Sequence, residues 1–247
     1  SLRRIPHYDF WSDTVKNSIL IDSKADIIVY GSGENQIKEI AYRLDHDLNL
    51  ENIEGTVILS RNKPDSAVLI DDFEKLKNKQ NYHQMMKIFF DKFKTETLAM
   101  PVLNRFLLHF PPAKPLSQKE IDHIYNLPFM RDVHPKYKKT KIPAFEQIKE
   151  SITAHRGCFG GCNFCAIGIH QGKTIQSRSE ASIIQEINSI SSKPYFSGTI
   201  SDIGGPSANM YAMFCKAKLD NNCKRLSCLQ PDICPNLETS HKPYIRL

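Results

Sequence analysis

Apolar and polar positions fall into blocks that switch between the periods of strand and helix. Ala25-Asp-Ile-Ile-Val-Tyr30 is a short, nearly continuous apolar run closed by Gly31-Ser-Gly33, predicting a buried strand and a glycine turn. Ile37, Ile40, Ala41 and Leu44 then recur at the three- and four-residue spacing of one helix face, predicting a helix over 35–44. Strand, turn and helix in that order define an α/β unit. Val57, Ile58 and Leu59 within Gly55–Ser60 predict a second strand, and Val68–Ile70 a short third. Phe73–Phe93, rich in Lys, Met and Phe, predicts one or two helices. Phe106–Phe110 predicts a strand that stops at Pro111-Pro112, where backbone donors vanish and the preceding residue is held extended.

Further on, Ser117 followed three residues later by Glu120 is a capping box, so a helix is expected over Ser117–Tyr125. The stretch from Leu127-Pro128 to Lys141-Ile-Pro143 has no period and reads as a connector. Ser179 caps a helix over Ser179–Ser189 in which Ile183, Ile184 and Ile187 are expected to line one face. Phe196–Ile203 predicts a strand ending at Gly204-Gly205-Pro206. From Ile152 onward the order is therefore strand, cysteine loop, helix, strand, glycine turn. In such βαβ arrangements the chemistry gathers at the carboxyl ends of the strands. The resulting division is an amino-terminal doubly wound α/β domain over 1–126, a connector over 127–150, and a second α/β region over 151–247. No internal repeat or low-complexity tract is visible.

Composition narrows this picture. The chain has 247 residues, 40% hydrophobic and 24% charged, which fits globular domains rather than disorder. Apolar runs such as Ile27–Tyr30 are too short to cross a bilayer, and Ser1-Leu-Arg-Arg4 leads into polar sequence, so a soluble, cytoplasmic protein is expected. The net charge of +6 and pI near 8.9 permit anionic partners, RNA included, without requiring them. Lys136–Lys141 and Lys173 read either as RNA phosphate contacts or as a solvated basic surface. The chain does not begin with Met and stops at Leu247 as if within an element, so a fragment of a longer protein is expected.

All seven cysteines lie between Cys158 and Cys234. Such clustering favours metal ligation over a disulfide scaffold. The core of the pattern is His155-Arg-Gly-Cys158-Phe-Gly-Gly-Cys162-Asn-Phe-Cys165, a C-x3-C-x2-C spacing. Three thiolates this close can hold three irons of a cuboidal cluster and leave the fourth open. A zinc site completed by His155 or His170 is the alternative. Cys215, Cys223, Cys228 and Cys234 form a second group, read either as another metal site or as scattered free thiols. Gly31-Ser-Gly33-Glu34 reads as a plain strand-to-helix turn or as a phosphate cradle lacking the third glycine of a dinucleotide fingerprint.

The cysteine spacing, with Phe164 at the aromatic position, resembles the radical SAM signature. Arg156 to Ile167, His170 to Ser179, Ile203 to Tyr211, Ser1-Leu-Arg-Arg4 and Tyr8-Asp-Phe-Trp-Ser-Asp13 are together similar to the YgiQ-type (UPF0313-like) family of radical SAM proteins. The resemblance implies a cobalamin-binding-like amino-terminal domain, without a cobalamin-ligating motif here, before the first part of a partial (βα)6 barrel. It implies a 4Fe-4S cluster on Cys158, Cys162 and Cys165. The open iron chelates the amino and carboxylate groups of S-adenosylmethionine, and an electron from a donor such as flavodoxin or ferredoxin releases a 5′-deoxyadenosyl radical. Phe164 then resembles the residue beside the adenine, and Gly204 and Gly205 the turn that meets the methionyl amino group. Pro206 stands where the family has an acidic residue, which leaves backbone contacts there. Arg178 is expected to pair with the methionyl carboxylate or a cluster-facing carbonyl. His170 is a candidate proton donor or substrate contact, and Asp202 a candidate ribose contact; structural roles fit both equally well. About 80 residues follow Cys165, and a six-unit barrel at about 30 residues per unit needs roughly twice that. The substrate-covering half is therefore expected to be missing. The substrate is not readable, and RNA modification or a non-catalytic zinc or iron–sulfur module stand as alternatives.

Overall fold

The structure, a computed structural model, describes residues 2–137, 140–206, 208–218 and 223–247. It divides into two units, Ser1–Lys114 with Leu219–Arg225, and Pro115–Lys218 with Leu226–Leu247. The capped helix after Ser117 thus falls in the second unit, not in the 1–126 domain expected from sequence.

The first unit opens with a hairpin, β1 (His7–Asp9) and β2 (Thr14–Lys16), and a short helix α1 (Ile19–Ser23) capped by Ser18. There follow β3 (Ile27–Val29), α2 (Glu34–Asp45), β4 (Thr56–Ser60), β5 (Val68–Leu69), α3 (Phe73–Leu76), α4 (Lys79–Lys92), β6 (Leu98–Val102) and β7 (Arg105–His109). Five strands form one sheet in the order β3-β4-β7-β6-β5. Only β5–β6 is parallel; β3–β4, β4–β7 and β6–β7 are antiparallel. The expected doubly wound parallel sheet is therefore replaced by a mixed one. The cause is local: β6 and β7 are joined by Leu103-Asn104 alone, and a two-residue link can only join antiparallel strands. Leu103 adopts φ 53° to make that turn.

Both sheet faces are apolar. Val57, Leu98, Met100 and Leu107 pack with Leu20, Leu76, Met85 and Phe89 from the helices. Ile58, Ala99, Leu108 and Phe110 form a second cluster from the alternate positions of the same strands. A buried cation sits in the first cluster. Arg4 Nε donates to His109 Nε2 at 2.9 Å, with its guanidinium carbon 4.4 Å from the Tyr30 ring centre. Burial pulls the His109 imidazole down to about 3, so the ring is neutral.

The second unit is built of shorter pieces: α5 (Gln118–Tyr125), α6 (Pro143–Ile148), β8 (Ser151–Thr153), β9 (His155–Arg156), α7 (Ile167–Gln171), β10 (Gln176–Ser177), α8 (Glu180–Ser191), β11 (Asp202–Gly204) and α9 (Lys242–Arg246). The expected capping box is present: Ser117 Oγ accepts from the Glu120 N–H, and Glu120 accepts from the Ser117 N–H. Ser179 caps α8 through the Ser182 N–H. β8 and β11 pair in parallel, Ile152 opposite Ile203, with α8 lying between them in sequence. β9 and β10 pair antiparallel. Of the strand expected over Phe196–Ile203, only Asp202–Gly204 is extended and paired. Of the expected barrel, the described residues show this one parallel pair. Ile183 and Ile190 are the fully buried isoleucines of α8, whereas Ile184 is 49% exposed, so its expected place on the inner face is not kept. Among the described residues no helix is long and apolar enough to cross a membrane.

Candidate functional site

The cysteine loop begins where β9 ends. Gly157, at φ 89°, crosses the backbone of Thr174 so closely that a Cβ would lie 2.2 Å from its carbonyl oxygen; only glycine fits. The Cys158 N–H donates to the Gly172 carbonyl at 3.1 Å, tying the loop back to the end of α7. A Cβ on Gly160 would lie 3.4 Å from Cys158 Sγ and 3.7 Å from Cys162 Sγ, so both thiols lie beside this glycine. None of the seven cysteines is in a disulfide. Cys158 is buried, Cys162 exposed and Cys165 half-buried. Among the described residues no three His, Cys, Asp or Glu side chains are gathered closely enough to hold a metal ion together. The donor set fits an iron–sulfur cluster chemically, and two of the three sulfurs share the Gly160 cradle; Cys165 is not drawn in with them.

A second segment, of which the sequence had singled out only the cysteines, braces this loop. Ser227 is buried, and its hydroxyl donates to the Gly160 carbonyl at 2.6 Å while accepting from the Leu229 and Gln230 N–H groups at 3.0 Å. The Cys228 N–H donates to the Phe159 carbonyl at 3.0 Å. Gly161, at φ 66°, lets this segment approach: a Cβ would lie 2.7 Å from the Leu226 carbonyl oxygen. Cys228 and Cys234 pack, half-buried, on the apolar cluster that contains Cys158, Phe159, Met210 and Met213. Cys223 belongs to the first unit and Cys215, Cys228 and Cys234 to the second. Their density in the sequence was the available signal for this brace.

At the carboxyl ends of β8 and β11 lies a cavity of about 230 Å³, lined by His155, Thr153, Asp202, Gly204, Gly205 and Pro206 among others. Both expected turn glycines are therefore on its wall. A Cβ on Gly205 would fall 2.0 Å from His155 Cε1, so the imidazole itself demands glycine at this position. His155 is 1% exposed and burial pulls its ring down to about 4. Asp202 Oδ1 accepts a 2.7 Å hydrogen bond from Ser151 Oγ across the β8–β11 pair. Tyr125 is flanked by two guanidiniums, Arg156 at 5.1 Å and Arg178 at 4.3 Å from its ring centre.

Arg178 is fully buried and its hydrogen bonds go to protein. It donates to the Glu186 carboxylate, to Ser182 Oγ at 2.9 Å, to the Ser182 carbonyl at 2.8 Å and to the Thr153 carbonyl at 3.0 Å. Glu186 also takes an ion pair from Arg131. In this structure the carboxylate that Arg178 meets is Glu186 of the same chain. The spacing of four along 178, 182 and 186 is a sequence signal that could have found this pair. Phe164, expected beside an adenine, is 93% exposed, and His170 lies in the last turn of α7 on the surface. Gly33 is not a phosphate cradle by necessity: its missing Cβ makes room for Val29 Cγ1, 2.9 Å from that position. Of the basic connector, Lys138 and Lys139 lie outside the described residues.

A family model, Radical SAM N-terminal, matches residues 1–151. The UPF0313 protein YgiQ of Escherichia coli is 37% identical across 100% of this chain and 42% of its own length. UPF0313 proteins of Methanocella arvoryzae and Bacteroides thetaiotaomicron are 44% and 40% identical, over 100% and 99% of this chain and 43% of each relative. The chain belongs to the YgiQ-type family of radical SAM proteins. It spans about two fifths of the length of the curated relatives it matches.

Proposed function

We propose that this chain carries the cofactor-binding part of a radical SAM enzyme. Cys158, Cys162 and Cys165 would hold a 4Fe-4S cluster, and the cavity at the ends of β8 and β11 would take the methionyl end of S-adenosylmethionine. The observation that supports this best is the Gly160 cradle, where two thiols of a C-x3-C-x2-C loop face one gap. When bound, the cluster supplies the single electron that breaks the sulfonium S–C5′ bond and leaves a 5′-deoxyadenosyl radical.

The chain's own residues hold and orient. Gly157 and Gly161 bend the loop, and the Ser227 hydroxyl fixes the Gly160 carbonyl, so the backbone is arranged before ligation. The strand ends hold Gly204 and Gly205 at the cavity wall, where backbone groups meet the methionyl amino group. Arg178 and Glu186 act at one remove, by tying α8 to the Thr153 carbonyl at the end of β8. Phe164, exposed here, would turn onto the adenine when the ligand is present. The reducing electron comes from a flavodoxin- or ferredoxin-type donor, and the substrate lies in the part of the relatives that this chain does not span.

Anaerobic reconstitution with iron and sulfide tests the reading. A brown protein with broad absorbance at about 400 nm is expected. A colourless protein that takes up zinc in preference to iron would overturn it.

A further inference from the structure

Helix α2 carries an apolar ridge that the first unit does not use. Ile37, Ile40, Ala41 and Leu44 share the spacing of one helix face, yet of the four only Ile40 is buried. Ile37 and Leu44 are each 60% exposed, and Ala41 is exposed between them. At 3.6 residues per turn these three fall within about 60° of one another around the helix axis, so they line up as one ridge in water. Leu48, turned back by the bond from its N–H to the Arg43 carbonyl at 2.8 Å, adds an exposed leucine just past the helix end. Apolar side chains gathered in this way form an interaction surface, unlike single ones scattered over a surface.

The charges on α2 say what covers the ridge. Glu39 and Arg43 are engaged within the unit: Arg43 Nε donates to Glu39 Oε1 at 2.7 Å, and Arg43 Nη1 to the Asn49 and Glu51 carbonyls at 3.1 and 2.7 Å. Lys38 is exposed and makes no ion pair among the described residues. Asp45, also exposed, has the His46 ring 3.9 Å away and no lysine or arginine among the described residues. Lys38 and Asp45 stand seven residues apart, two helical turns or about 10 Å, on the same edge of the ridge. The cation is near the helix start and the anion at its end, which makes the face self-complementary. A two-fold axis across the ridge turns a second α2 antiparallel and sets each Lys38 beside the Asp45 of the other copy. In that register Ile37 of one copy falls beside Leu44 of the other. The two Ala41 residues meet at the axis, where their small side chains let the helices close. A parallel pairing would leave the charged edges on opposite sides.

We propose that α2 is a dimerisation helix whose partner is α2 of a second copy of this chain, packed antiparallel about Ala41 and aligned by two Lys38–Asp45 pairs. The surface is one helix wide, so the dimer is reversible and depends on concentration. The inference stands apart from the cofactor reading, because α2 lies in the first unit and the cysteine loop in the second.

Sedimentation velocity of the whole chain over a concentration series, with no cluster loaded, tests this. A monomer–dimer equilibrium is expected. Lys38→Glu sets carboxylate against carboxylate at both ends of the helix pair and is expected to raise the dissociation constant about tenfold; Asp45→Lys is expected to do the same. The double exchange, Lys38→Glu with Asp45→Lys, rebuilds both pairs in reverse and is expected to return the constant to within about threefold of wild type. Leu44→Asp is expected to leave monomer at every concentration, and should it not fold, the charge exchange decides. A wild type that stays monomeric throughout overturns the proposal, since the ridge then meets something other than a second copy. A dimer that neither single reversal weakens, or that the double exchange does not restore, overturns the antiparallel register and the proposal with it.

Discussion

The two units are held together by different means. The first has a five-stranded sheet with apolar clusters on both faces, and its elements would hold with no ligand. Among the described residues the second has two-stranded sheets, and much of its order comes from polar ties: Arg178 to Glu186, Ser227 to the Gly160 carbonyl, Tyr211 to the Arg178 carbonyl at 2.9 Å. It also keeps an imidazole without a partner and thiols that are not yet gathered. On the proposed reading, stability and function are divided along the chain, with the frame first and the cofactor-binding part second.

The sharpest break of this contrast is removal of one thiol. Cys158→Ala, Cys162→Ala and Cys165→Ala are each expected to abolish iron loading while leaving the hydrogen-exchange protection of β4, β6 and β7 unchanged. Cys228→Ala is expected to load normally, because Cys228 packs beside the loop. Iron and sulfide analysis of each variant checks this. Next in size is Glu186→Gln, which leaves the buried Arg178 and the half-buried Arg131 without their carboxylate and should cost about 3–5 kcal/mol. Urea titration followed by hydrogen exchange should show the loss in α8 and β8 and not in the sheet of the first unit. Leu107→Ala should do the reverse, costing about 2–5 kcal/mol in the first unit only.

A pH series adds an effect of similar size spread over several pH units. His109 falls from its usual value of 6.5 to about 3 in the folded state. Between those values the unfolded chain binds a proton that the folded chain refuses, so stability falls as pH falls, by about 1.4 kcal/mol per pH unit. His109→Gln should flatten that slope, measured as the difference from wild type between pH 6.5 and 4. The smallest expected change is Ser117→Ala, about 1 kcal/mol, read as fraying of α5.

Much of the local structure was legible. Ser117 with Glu120, and Ser179, mark helix starts by a mechanism confined to a few residues, and both caps are present. Topology was less legible. β4, β6 and β7 are buried on both faces, so their runs lack the alternation that would have marked antiparallel strands. The Leu103-Asn104 turn has none of the glycine that usually announces a hairpin. At the site, the cysteine spacing was visible because Cys158, Cys162 and Cys165 lie close together in sequence. The bond from Arg178 to Glu186 hides behind a helix spacing, and the contact between His155 and Gly205 joins residues that only the β8–β11 pairing brings together.

The most direct test of the site is electron paramagnetic resonance of the reconstituted, reduced protein with and without S-adenosylmethionine. A cluster held by Cys158, Cys162 and Cys165 with one iron open predicts a low-temperature signal whose shape changes on addition of the sulfonium. A signal that is indifferent to S-adenosylmethionine would mean that the fourth iron is already taken by the protein, and would contradict the proposed chemistry.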